Sequence, residues 1–358
     1  MSYKQRIVTI GIALTGAAIF LVIFAYYAFQ RPTVQWVQWG DRGTGMVQLF
    51  NTRTIDAAAV KALNAAPEAE DKIEPSGEKA SQAYKNIQVL KDLDSNEVLR
   101  LMTAITKWVA PEQGCAYCHK EGTNFEEDAL YTKLVARRMI QMTRHLNSDW
   151  KSHVGITGVG VTCYTCHRGN PVPKNVWYTP VEPRSSRALL GNDAGQNKRA
   201  PAVGLTALPY DPFTPFLEGD QQIRVNGPTA LPTTNRASLK QAEWTYALMI
   251  AMSKGLGVNC TYCHNMQNFQ SWSQSTPQRV TAWYGIRLVR DINNNFLNPL
   301  TPLYANVPER KGPAGDLPKA FCATCHQGAF KPLYGAAMLK DYPELAGPAP
   351  EKSALNTQ

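Results

Sequence analysis

Residues 7–29 form an unbroken apolar run with no charged side chain, preceded by Lys4 and Arg6 and followed by Gln30, Arg31 and Pro32. Wound as an α-helix, that run is about 35 Å long, enough to cross a bilayer. Tyr26, Tyr27 and Phe29 suit an aromatic belt at its far end. A cleaved secretory signal is the alternative, but the run is long for one and no Ala-x-Ala-like site follows it. Beyond it, apolar residues recur at helical spacing in four segments, 95–109, 128–147, 239–254 and 278–293. Asp94 or Ser95 reads as the start of the first, and Ser275-Thr276-Pro277 as the start of the last. Short alternating patterns at 86–93 and 222–225 predict a pair of strands. The stretch 181–237, rich in Pro, Gly and Asn without a sustained period, predicts a linker or irregular covering layer, and the tail after Pro348 is expected to be loose.

Each helical segment is followed by the same five-residue pattern. The copies are Cys115-Ala-Tyr-Cys118-His119, Cys163-Tyr-Thr-Cys166-His167, Cys260-Thr-Tyr-Cys263-His264 and Cys322-Ala-Thr-Cys325-His326, and they take up all eight cysteines. The repeats fall into two pairs rather than four equal copies. Laying the first helical segment on the third matches Met102 with Met249 and Lys107 with Lys254. Laying the second on the fourth matches Ala136 with Ala282, Arg144 with Arg290, Asn147 with Asn293, and Met139 with Gly285. The expected fold is therefore mainly α with little β: two pseudo-symmetric two-haem units behind one N-terminal transmembrane helix. The division reads 1–6 cytoplasmic, 7–29 anchor, 30–94 covering segment, 95–180 first unit, 181–237 connecting segment, 238–330 second unit and 331–358 tail.

The haem reading comes from the repeated pattern. In Cys-x-x-Cys-His both thiols add to haem vinyl groups and the adjacent histidine is delivered to the iron. Zinc is the alternative for paired cysteines, but zinc does not require a histidine after every second cysteine, and the gaps between pairs are long and irregular. Four haem c groups follow, with proximal ligands His119, His167, His264 and His326. Beyond these only His145 and His153 remain, so four bis-histidine irons are impossible within one chain. A methionine in an apolar helix is ordinarily core filler. The repeat matching nevertheless singles out Met102, Met139 and Met249 as sixth ligands, leaving Met142 and Met252 to the core. Gly285 stands where Met139 has its counterpart, so the fourth iron must draw its ligand from elsewhere. His153 is the candidate and His145 the weaker one. A ligand that follows the second helical segment and serves the fourth haem makes the second and fourth haems neighbours, and the two-fold then places the haems in the order first, second, fourth, third.

The formal charge of +9 does not by itself indicate nucleic acid. Haem propionates would add roughly eight negative charges and nearly cancel it, and no nucleic-acid partner is expected. Lys4 and Arg6 are offset by Arg31 and Arg42, so charge orients the anchor poorly. Haem attachment of this kind takes place outside the cytoplasm and orients it better.

Outside the haem motifs, Arg42-Gly-Thr-Gly-Met46, Tyr84-Lys-Asn86, VARRMIQMT at 135–143, Tyr210-Asp-Pro-Phe213, STPQR at 275–279, Tyr284-Gly-Ile-Arg287 and KDYPEL at 340–345 complete the picture. With these the sequence closely resembles the tetrahaem cytochrome subunit of purple-bacterial photosynthetic reaction centres over nearly the whole translocated part. The resemblance implies an electron carrier rather than an enzyme: a helical periplasmic domain on the photosynthetic inner membrane, docked on the reaction-centre core subunits. It implies three His/Met haems and one His/His haem, with ligands mapping onto Met102, Met139, Met249 and His153. It also implies a first haem reduced by a soluble carrier, a small cytochrome c or a high-potential iron-sulfur protein, and a third haem nearest the bacteriochlorophyll special pair. Some members are lipid-anchored on an N-terminal cysteine; none exists here, which favours the peptide anchor. The competing functions are a membrane-anchored respiratory tetrahaem quinol dehydrogenase, which needs more distal histidines, and a multihaem reductase, which needs an open iron with acid/base groups.

Overall fold

The computed structural model describes residues 2–28, 34–38, 47–53, 55–155, 158–181, 202–205, 208–225 and 238–347. Phe29, the Arg42–Met46 stretch, much of the connecting segment and the tail from Pro348 lie outside them. The first helix, α1 (Tyr3–Ala28), has a mean hydropathy of 2.6 over its most apolar window and buries none of its residues in the protein. Its length and composition fit a membrane span.

After α1 comes an antiparallel hairpin, β1 (Val34–Gln38) and β2 (Val47–Asn51), with Trp36 opposite Leu49. The strands expected at 86–93 and 222–225 do not form. In the first stretch Asn86 takes a left-handed φ of 57° and turns the chain, and Val89 and Leu90 go into the core beneath the next helix instead of pairing. In the second, Ile223 packs on a core and its carbonyl accepts a hydrogen bond from Thr245.

The four helices expected from the apolar pattern are α2 (Ser95–Val109), α3 (Tyr131–Asp149), α4 (Leu239–Leu256) and α5 (Pro277–Asp291). Asp94 caps α2 in a capping box with Glu97, and Thr276 precedes Pro277 at the first position of α5. Helix α3 starts later than the pattern suggests. Asp128 is held outside it by Arg137, Lys133 and Asn86.

These helices surround two main apolar cores. One gathers Val98, Leu101, Ala104 and Trp108 of α2 with Ile140 of α3, and is sealed from the far end of the chain by Met338, Tyr342 and Leu345. The other gathers Leu248, Ala251 and Met252 of α4 with Ile286, Leu288 and Val289 of α5, and is sealed by Phe213, Phe216 and Leu217. The positions matched in the sequence repeats make matching bonds. Arg144 donates to the Glu344 carbonyl and Arg290 to that of Phe216. Asn147 donates to the carbonyls of Leu345 and Val161 and accepts from the Val161 N–H. Asn293 does the same with Leu217 and Ala320. Each asparagine thus fixes the backbone two residues before a cysteine, Cys163 or Cys322.

Candidate functional site

The second and fourth motifs each form one helical turn, Cys163–His167 and Cys322–His326, ended by a left-handed residue, Arg168 at φ 49° and Gln327 at φ 48°. The first and third are tighter 3₁₀ turns in which the histidine N–H returns to the first cysteine's carbonyl at 2.9 Å. Either winding gathers two sulfurs and an imidazole within about one turn of chain. Helix α2 packs along both the first and second motifs, and α4 along the fourth, where Gly255 comes too close to the Ala323 backbone to admit a Cβ.

Nδ1 of His167 donates to Asn170 O at 2.9 Å, that of His264 to Phe269 O at 3.0 Å, and that of His326 to Ala329 O at 2.9 Å. These bonds put the proton on Nδ1 and leave the Nε2 lone pair available to a metal. Nδ1 of His119 is buried without a well-aligned partner, although the Phe125 backbone still acts to favour its charged form. Burial lowers the pKa of all four imidazoles, His326 to about 4, and keeps them neutral. Burial likewise raises the thiols, Cys118 and Cys263 to about 11 and Cys163 and Cys322 to about 12. Among the described residues no group of three or more His, Cys, Asp or Glu is placed to hold a metal ion. Zinc asks for four such donors, whereas an iron already held by a porphyrin asks the chain for only two axial ones. The donor set fits haem.

The second and fourth motifs meet directly. Arg168 donates to the Cys325 carbonyl and Gln327 to that of Cys166. The sulfurs of Cys166 and Cys325 pair across this junction, with their Cα atoms 4.4 Å apart. A sulfur paired in this way is not available for a thioether, so the two bonds are alternatives at these atoms.

His153 lies in a π-helical turn, Lys151–Gly155, just after α3. Its Nδ1 donates to Thr281 O on α5 at 2.9 Å, and its ring faces that of His326 with centroids 6.2 Å apart. With metal–nitrogen bonds of about 2 Å, two imidazoles on opposite sides of one metal have centroids about 6 Å apart. A Cβ at Gly285 would stand 2.6 Å from His153 Cε1, so the glycine makes the room that the ring occupies. His145, the weaker sequence candidate, is held on both sides. Nδ1 bonds Asp149 at 2.7 Å and Nε2 bonds Asp291 at 2.6 Å, leaving neither lone pair for a metal.

Met139 and Met142 both line the crevice beside Cys163, Cys166 and His167. Met102 and Met249 sit half-buried at the edges of the two cores, on the helices preceding the first and third motifs. Sequence reasoning missed the two asparagine clamps and the aromatic neighbours of the first and third motifs: Phe125 edge-on to His119 at 4.8 Å, and Phe269 stacked on His264 at 4.0 Å. Their signal in the sequence is a phenylalanine six residues after His119 and five after His264.

The family described as the photosynthetic reaction centre cytochrome C subunit has a sequence model that matches residues 30–346. The chain belongs to this family. The reaction-centre cytochrome subunit of Rubrivivax gelatinosus is 52% identical over 358 residues, covering 99% of this chain and 93% of the relative. That of Thermochromatium tepidum is 50% identical over 320 residues, covering 89% and 76%. That of Roseobacter denitrificans is 40% identical over 353 residues, covering 94% and 91%. A reaction-centre cytochrome c subunit is an electron carrier with covalent haem c, associated with the reaction centre in the membrane. A respiratory quinol dehydrogenase is not favoured.

Proposed function

We propose that the chain carries four haem c groups and passes electrons along them from a soluble periplasmic donor to the photo-oxidised bacteriochlorophyll special pair. The thioether cysteines are Cys115, Cys118, Cys163, Cys166, Cys260, Cys263, Cys322 and Cys325. His119, His167, His264 and His326 are the proximal ligands, with Met102, Met139, Met249 and His153 opposite them in the same order. When bound, each haem supplies a one-electron Fe(III)/Fe(II) couple whose potential depends on its axial pair.

The residues of this chain set those potentials and the order of the sites. A thioether ligand raises a potential and a second imidazole lowers it. Thr281 fixes the tautomer of His153, and Gly285 gives its ring room. The junction of the second and fourth motifs makes the succession first, second, fourth, third, with the two units related by an approximate two-fold, which the recurring Asn147 and Asn293 clamps support. The donor, a small cytochrome c or a high-potential iron-sulfur protein, docks by the first motif. The third motif faces the reaction-centre core. Helix α1 is a single-pass anchor, with the bulk of the chain periplasmic.

The observation that carries this reading is the His153 ring standing 6.2 Å from His326 above Gly285, in a chain with two histidines outside its motifs. Two measurements test it together. Haem should resist acid–acetone extraction, and the intact mass should show four haems per chain; a mass short of four haems refutes the count, and a Cys166–Cys325 disulfide in the haem-loaded protein refutes the thioether assignment at those two atoms. A redox titration should show three high-potential couples and one distinctly lower, the lower assigned to the fourth motif.

A further inference from the structure

The β1–β2 hairpin presents two very different faces. Gln48 and Phe50 on the inner face are 1% and 4% exposed, whereas Val34, Trp36 and Leu49 on the outer face are 54%, 66% and 56% exposed. Alternation along the strands, with Trp36 registered against Leu49, puts these three on one side. An uncovered aromatic and aliphatic face is a liability for a protein in water.

The chain itself limits where this face can be. Five residues separate the end of α1 at Ala28 from the first residue of β1 at Val34, and six fully extended Cα steps reach roughly 20 Å. The hairpin cannot swing away within that radius, because its inner face is tied to the domain. The Gln48 side-chain amide donates to the carbonyls of Leu256, at the end of α4, and Gly328, just after the fourth motif.

We propose that the outer face of the hairpin seats in the headgroup layer of the bilayer and fixes the end of the domain bearing the third and fourth motifs over the membrane. This rests on the reading of α1 as a membrane span. The occupant is lipid: Trp36 has the apolar ring and polar N–H that suit the headgroup level, and the tether holds it there whatever else binds. The consequence for electron delivery is geometric. The Gln48 tie carries the membrane's position straight to the end of α4, four residues before the third motif, and to Gly328 just after the fourth, so the third-motif end of the wire is held at a set height.

The test uses the full-length, haem-loaded protein in vesicles of phosphatidylcholine and phosphatidylglycerol. Leu49→Cys, Ile19→Cys and Leu99→Cys each carry a nitroxide, and accessibility to oxygen is compared with accessibility to a water-soluble nickel complex. Position 49 is expected to show a several-fold higher oxygen-to-nickel ratio than exposed Leu99 of α2, and a lower one than position 19 within α1. If position 49 matches position 99 while position 19 is lipid-like, the anchor stands and the hairpin proposal falls. If position 19 is itself in water, the anchor reading fails first. If position 49 is aqueous in vesicles but shielded from both reagents in the intact core complex, a protein partner covers the face and the lipid proposal is overturned.

Discussion

Replacing Gly285 by alanine adds one methyl group at the most crowded point of the proposed fourth site. The new Cβ would lie 2.6 Å from His153 Cε1, against about 3.5–4.0 Å for a relaxed carbon–carbon contact, so something must move by roughly 1 Å. Helix α5 cannot give way easily, because Ile286, Leu288 and Val289 are buried in the core beside it. The imidazole must therefore yield, against its bond to Thr281 O. Overpacking of this size costs about 1–3 kcal/mol. The second imidazole favours ferric iron, so strain on that ligand falls mainly on the ferric form. At about 59 mV per tenfold for one electron, the low couple should rise by roughly 40–130 mV. The other three couples should not move. The assay is a potentiometric titration with ferric electron paramagnetic resonance on the same samples. His145→Ala serves as the control and should leave ligation intact. An alanine variant with full haem content, an unmoved low couple and unchanged ferric spectra would show that His153 is not the ligand Gly285 makes room for.

Three further outcomes follow from other parts of the molecule. Asn293→Ala leaves the carbonyls of Leu217 and Ala320 and the Ala320 N–H without their partner, so urea unfolding should show a loss on the order of 3 kcal/mol; a loss under about 1 kcal/mol would mean those groups find other partners. His145 is held between Asp291 and Asp149, which raise its pKa, the Asp291 hydrogen bond most, over opposing burial. Its contribution to stability is complete below the unfolded value of about 6.5 and is lost as pH rises through the higher folded value, so wild type should lose stability over that range and His145→Ala should lack the slope. Around the first motif Glu112, Glu121 and Glu127 are exposed, whereas Asp128 is bound by Arg137 and Lys133. Neutralising the three glutamates should slow reduction by a basic donor at low salt and matter little at high salt, while Asp128→Asn should act mainly on stability; equal low-salt rates for wild type and the triple variant would remove the steering role.

The parts of the fold legible in the sequence were those with a strong local signal. Four helices stood out because their apolar faces repeat at helical spacing, and Asp94 and Thr276-Pro277 marked two of their starts. The haem motifs were legible because their chemistry requires a contiguous pattern. The pairing of Arg144 with Arg290 and Asn147 with Asn293 was also readable, but its meaning was not: each bonds carbonyls far along the chain, and no local pattern announces such partners. The hairpin was missed for a related reason. Its Gln48 looks like an outward polar residue and is in fact among the most buried, bonded to backbone 208 and 280 positions away. Conversely, 86–93 alternates like a strand, yet its apolar residues serve the core beneath α2. At the fourth site the decisive letter was the absence of a side chain, Gly285, whose role appears only once His153 is brought against it.

The sealing of the first core by Met338, Tyr342 and Leu345 has a bearing on how the protein is made. These residues lie about 240–250 positions after Ser95, where the helix they cover begins. A chain that emerges N-terminus first must emerge past Leu345 before that core can close, and contacts of such long sequence separation form late. Throughout that interval the second Cys-x-x-Cys-His segment, whose Cys163 belongs to that core, stays open to whatever attaches its prosthetic group. The enclosure of Cys163 therefore waits on Met338, Tyr342 and Leu345, which close the core around it as a lock closes.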